Sequence, residues 1–158
     1  VMARALEQLG APVEEREALV RSLPSWPVFP EVPSALAELR QRGVRLCILS
    51  NTDPDLLQAS VAAIGVRFDR WIVASQIGSY KPAPGHWRAF QDEVGQLPDV
   101  HVAASLFHDV APATRLGIPC IWIDRRGEDP GELSPARTLP DLRGVADAVC
   151  EILKEHGR

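Results

Sequence analysis

Apolar positions along the chain fall into two alternating patterns. Short, nearly unbroken apolar runs occur in "VRLCIL" (44–49), "RWIVA" (70–74), "DVHVAAS" (99–105) and "IPCIWID" (118–124), and each is short enough to be a buried strand. Between them lie stretches with apolar residues at helical spacing, at 54–64 before Gly65, 84–94, 109–116 before Gly117, and 141–156. One more amphipathic stretch, "SALAELRQRG" (34–43), precedes the first strand, with Leu36 and Leu39 on one face and Gly43 as its stop. Four strands alternating with helices of about ten residues predict an α/β fold, a parallel sheet with helices on both faces. Upstream, residues 3–23 read as two short helices broken at "LGAP" (9–12). Pro24, Pro27, Pro30 and Pro33 then mark a linker, "PSWPVFPEVP".

In a sheet of this kind ligands bind beyond the carboxyl ends of the strands. The residues there are Ser50-Asn51-Thr52, "SQIGSYKP" (75–82), "SLFHD" (105–109) and Asp124-Arg125-Arg126, all polar and all expected on one edge. Ser50, Asn51 and Thr52 offer hydroxyl, amide and backbone donors at a helix start, where anions are favoured. The same turn also reads as a plain helix start, with Asp53 as N-cap and Pro54 in the first helical position. Asp53-Pro54-Asp55 lies too far past the apolar run to be a rigidly held nucleophile, and complements the helix dipole instead.

Only two of the 17 basic residues are lysines, Lys81 and Lys154. Lys81 stands in "GSYKPAPG", between prolines that stiffen its loop, and a compact ammonium there suits one anionic oxygen or a carboxylate. A solvated loop lysine is the alternative. Asp109 stands where a helix begins, so capping competes with a site role, and His108 reads as a supporting or surface histidine. There is no G-x-S-x-G elbow around Ser105 and no glycine-rich phosphate loop, which removes support for serine hydrolases and P-loop enzymes.

The composition narrows the partners. The 158 residues are 46% apolar and 24% charged with net charge −4, and no basic block points to nucleic acid or an acidic membrane surface. No apolar run approaches the roughly 18 residues of a spanning helix, and the start lacks a signal-peptide pattern. Cys47, Cys120 and Cys150 form no C-x-x-C pair and read as small buried apolar residues in a reducing, cytoplasmic setting. A valine ahead of the first methionine leads us to expect a piece of a longer chain. Oligomeric state is not legible.

"LCILSNTD", "SYKPAPGHW" and "HVAASLFHDVAPATRLGIPCIWIDRR" together resemble three successive motifs of the haloacid dehalogenase-like hydrolase superfamily, on its 2-haloacid dehalogenase-like branch. The likeness runs from about Trp26 to Arg126. It implies a Rossmann-like core over 26–158 lacking its first, central strand, with 1–25 the remnant of a helical cap. It also implies a hydrolase working through an aspartyl ester on a small anionic substrate, a 2-haloacid. On this resemblance Ser50, Asn51 and Thr52 bind substrate, Lys81 pairs with the nucleophile and developing charge, and Asp109 positions water, the lysine or, in phosphatases, magnesium. The nucleophilic aspartate itself is not among the 158 residues. Magnesium-dependent members carry aspartate where this chain has Ala104. Dehalogenases carry serine there and asparagine where it has Leu106. We therefore expect no cofactor, with a magnesium phosphatase as the alternative chemistry and a non-catalytic binding protein as the alternative of a different class.

Overall fold

The computed structural model describes residues 7–157 except 11, 16 and 17. The two helices expected over 3–23 lie partly outside those residues. Within them are a 3-10 turn at Val13–Glu15, helix α1 at Ala18–Ser22 and a second 3-10 turn at Leu23–Ser25. The proline-marked linker then leads into α2, Val32–Gln41, which buries Ala35 and Leu39 four residues apart on one face. Gly43, at φ 82°, closes the helix while the Val44 amide returns to the Leu39 carbonyl at 3.0 Å.

Strand β1, Cys47–Ser50, is followed by α3 (Pro54–Ile64) and by β2 (Arg70–Val73), which pairs parallel with β1, Ser50 opposite Val73. A one-turn helix α4, Ala74–Ile77, and α5, Gly85–Val94, come next. Strand β3 (His101–Ala103) passes through a π-turn at Leu106–Val110 into α6 (Ala111–Arg115) and the fully buried β4, Cys120–Ile123. The chain ends on α7, Val145–Glu155.

Alternate side chains of β4 go to opposite faces, as strand geometry requires. Ile121 and Ile123 pack with Ala35 and Leu39 of α2 and with Val145, Val149 and Ile152 of α7, while Cys120 and Trp122 pack with Trp87, Val110 and Ala113 on the other face. That is the expected parallel α/β arrangement with helices on both sides. Three local expectations are corrected. A fifth strand, β5 at Arg137–Leu139, pairs parallel with β4 where the sequence reads as loop. Residue 74 begins a helix rather than ending a strand. Of the cysteines only Cys120 is buried, Cys47 and Cys150 being half-buried, and all three are free thiols.

The strands form two sheets, β1-β2 and β3-β4-β5, not one. Between β1 and β3 runs an open cleft of about 940 Å³, lined by Leu46–Leu49 on one side and Val100–Ala104 on the other. Parallel strands are normally buried and paired on both edges, so this cleft leaves β1 and β3 each with an unpaired edge between the two sheets. It is the gap expected from a core without its central strand. Among the described residues no helix is long and apolar enough to cross a membrane.

Candidate active site

The site is built at the carboxyl ends of β1 and β3, on the rim of the cleft. Where β1 ends, the Ser50 hydroxyl accepts the Thr52 amide at 3.0 Å and turns the chain. That turn sends the Asn51 side chain across to the next loop. Its Nδ2 donates to the Lys81 carbonyl at 3.1 Å and its Oδ1 accepts the Lys81 amide at 2.7 Å. This reciprocal pair clamps the backbone of residue 81 to the end of β1. The loop then folds tightly onto α5: a Cβ on Gly85 would lie 2.3 Å from the Ser79 side chain, so only glycine fits.

Lys81, thus anchored, turns its ammonium inward. Nζ donates to the Leu49 carbonyl at 2.7 Å and to Asp109 Oδ1 at 2.6 Å, and both side chains of the pair are only 10% exposed. Asp109 comes from the π-turn after β3, whose start is capped by Ser105 accepting the His108 amide. The helix cap is therefore Ser105, not Asp109. A third group joins: His101 Nε2 lies 3.0 Å from the same Oδ1. An ionised carboxylate can only accept, so Nε2 carries the proton. Burial pushes the Asp109 carboxyl upward, but the His101 hydrogen bond and the Lys81 ammonium together outweigh it and hold it below the usual range.

Behind this cluster His86, fully buried in the first turn of α5, approaches the Ser50 carbonyl through Nε2 at 2.9 Å. The carbonyl can only accept, so the ring is the Nε2–H tautomer, with its buried Nδ1 lacking a partner among the described residues. Burial above all, with the nearby Lys81 charge, lowers its pKa, against the opposing pull of the Ser50 hydrogen bond and Asp109. A histidine whose folded pKa lies below its unfolded value binds fewer protons when folded. Its stabilising contribution is complete above the unfolded value of about 6.5 and is lost as pH falls below it. We expect the urea midpoint to fall between pH 7.5 and 5.5, and His86→Leu to flatten that slope. An equal slope in the variant would refute the assignment.

Ser50, Asn51, Lys81 and Asp109 are thus brought together. Thr52 joins through its backbone. Asp53 occupies the N-cap position of α3 with extended backbone but makes no capping hydrogen bond with its side chain, and Asp55 lies in the first turn of that helix. His108 is exposed, with Nδ1 beside Ser105 Oγ at 3.0 Å. Sequence reasoning missed His86 and His101. The available signal for His101 was a polar residue opening an apolar strand, eight positions before Asp109. Burial, followed by the Asp109 charge, pushes the Cys120 thiol up to about 12, which makes it unreactive.

Magnesium takes near-octahedral oxygen coordination. Here Ala104 offers no side-chain donor, Asp109 Oδ1 is already shared by an ammonium and an imidazole, and no group of three or more His, Cys, Asp or Glu comes together among the described residues. Of the residues gathered here, Asp109 alone carries a carboxylate.

Residues 2–105 match the family model described as haloacid dehalogenase-like hydrolase. The chain is 35% identical over 155 residues to a phosphoserine phosphatase of Thermus thermophilus, covering 92% of this chain and 62% of that protein. It is 32% identical over 125 residues to an (S)-2-haloacid dehalogenase of a Pseudomonas species, covering 75% of this chain and 53% of that one. Among solved structures an L-2-haloacid dehalogenase superimposes with TM-score 0.79 at 28% identity, over 93% of this chain and 68% of that one. The chain therefore spans less than two thirds of the length of these two curated relatives.

Proposed function

The chain belongs to the haloacid dehalogenase-like hydrolases, and from that premise we propose that it stands on their 2-haloacid dehalogenase-like branch and carries the lysine–carboxylate half of a site hydrolysing a small anionic 2-haloacid. The observation that carries this reading is the Lys81 ammonium, buried at the rim of the β1–β3 cleft between the Leu49 carbonyl and Asp109. A strand lying in that cleft parallel to its neighbours would end beside Lys81. An aspartate there would have an adjacent cation to keep it ionised. On this reading residues 1–25 belong to a helical cap and 26–158 to the hydrolase core.

The chemistry follows in two steps. The aspartate carboxylate attacks the halogen-bearing carbon; a C–O bond forms, the carbon–halogen bond breaks and halide leaves with its electron pair. Water then attacks the aspartyl carbonyl carbon and the acyl C–O bond breaks. The 2-hydroxy acid is released and the carboxylate regenerated, with one proton left over. Lys81 balances the negative charge that develops on the aspartyl oxygen. Ser50 Oγ receives the Thr52 amide and keeps its own hydrogen free to donate to the substrate carboxylate. Asp109 Oδ1 is held by Lys81 and His101, which leaves Oδ2 to orient the water. A cytoplasmic setting accords with the three free thiols.

The phosphatase reading rests on the Thermus relative, and Ala104 departs from the pattern of both chemistries. A chelator separates the two. In the chain joined to a strand that ends in aspartate we expect 2-chloropropionate to release halide at an unchanged rate in EDTA, with p-nitrophenyl phosphate scarcely hydrolysed. Strict magnesium dependence with phosphate release would transfer the assignment to the phosphatase. No turnover of either compound by a folded protein would favour a non-catalytic binding role.

A further inference from the structure

His101 opens β3, where the alternation of the strand calls for an apolar side chain. Its ring instead lies edge-on to Trp87, centroids 5.8 Å apart, and directs Nε2 to Asp109 Oδ1 at 3.0 Å. The Lys81 ammonium reaches the same oxygen at 2.6 Å from a different element, the loop before α5. Asp109 Oδ2 meets no donor among the described residues. The last torsion of an aspartate side chain is soft, so a single donor leaves the plane of the carboxylate free to turn. Two donors converging on one oxygen from different directions do not.

We propose that His101 is a positioning residue that fixes the plane of the Asp109 carboxylate, so that one oxygen stays on Lys81 and the other stays toward the reacting water. This rests on the assignment of Lys81 and Asp109 to the active site. An apolar residue at 101 would preserve the packing against Trp87 and still leave the Lys81–Asp109 ion pair, but in a carboxylate that turns. The Lys81 ammonium would then spend part of its time released from its pair.

The test follows that ammonium directly. Reductive dimethylation of the protein, read peptide by peptide by mass spectrometry, reports the labelling rate of Lys81 against the exposed Lys154 as internal reference. In His101→Leu we expect Lys81 to label faster by about tenfold, the scale of losing one hydrogen bond to a charged group, with Lys154 unchanged. His101→Gln, whose terminal amide reaches the place of Nε2, should restore slow labelling. Fast labelling in the Leu variant together with rescue by Gln supports the positioning role. An unchanged Lys81 rate in a folded but less stable Leu variant would reduce His101 to a packing residue and overturn the proposal. If the Leu variant does not fold, His101→Asn against His101→Gln decides, because asparagine is too short to reach Oδ1: the role requires Asn fast and Gln slow, and equal rates overturn it. The readout needs no turnover, so absence of hydrolysis would count against the proposed function while leaving this result to stand or fall separately.

Discussion

Replacing Lys81 by alanine, in the chain joined to a strand that ends in aspartate, should lower kcat for 2-chloropropionate by about 100-fold or more, the scale of losing a preorganised charge-stabilising group. The ammonium is not an adaptable surface cation. Its backbone is clamped by Asn51 on both sides, and two of its three protons are directed at Leu49 and Asp109. The third is left for a group arriving from the cleft. Removing the cation also strands a buried carboxylate, which costs about 3–5 kcal/mol in comparable pairs, so a loss of activity could be confused with a loss of fold. The double variant Lys81→Met/Asp109→Asn separates these effects. Stability should recover relative to Lys81→Met alone, because neither charge remains buried, while turnover should not. If turnover recovers with stability, Lys81 is a structural partner and not part of the chemistry. Lys81→Arg should also fail, since a planar guanidinium cannot reproduce three rotatable donors on one nitrogen.

We expect the 158-residue chain, assayed by itself, to turn over neither 2-chloropropionate nor p-nitrophenyl phosphate. Asp109 is the carboxylate paired with Lys81, and it is held by two donors, which suits it to orienting water rather than to attack. On the proposed reading an attacking carboxylate would sit in the β1–β3 cleft, which Lys81 and Asp109 line. Residues that act as a unit lose most of the activity when one is absent. Joining to the chain a strand that ends in aspartate should therefore bring halide release from undetectable to measurable, and the same strand ending in asparagine should not. Turnover by the unextended chain would contradict this, and Asp53→Asn would then show whether the aspartate at the start of α3 is responsible.

The parallel α/β architecture was legible because it is written in local periodicity. Apolar runs of strand length alternating with helical stretches dictate which side chains must be buried, and β4 carries Ile121 and Ile123 to one face and Cys120 and Trp122 to the other. Gly65, at φ 70°, ends α3 where the sequence places its stop. Lys81 stood out by type alone, in a chain whose basic residues are otherwise almost all arginine, and Asp109 by its place after a strand. β5 was not legible: three residues, Arg137–Leu139, have no pattern of their own and become a strand only because β4 offers them an edge.

The sequence by itself determined the order of elements, the faces they bury and the loops that reach the carboxyl edge, since these depend on neighbours within a few positions. Only the tertiary structure decided that the sheet divides between β1 and β3, that Asn51 binds backbone, and that His101 and Lys81 meet on one oxygen of Asp109. Those contacts join residues 8 to 30 positions apart through turns whose geometry no local pattern specifies. A buried charge is settled by whichever donors the fold brings to it, and the sequence names the donors without saying where they converge.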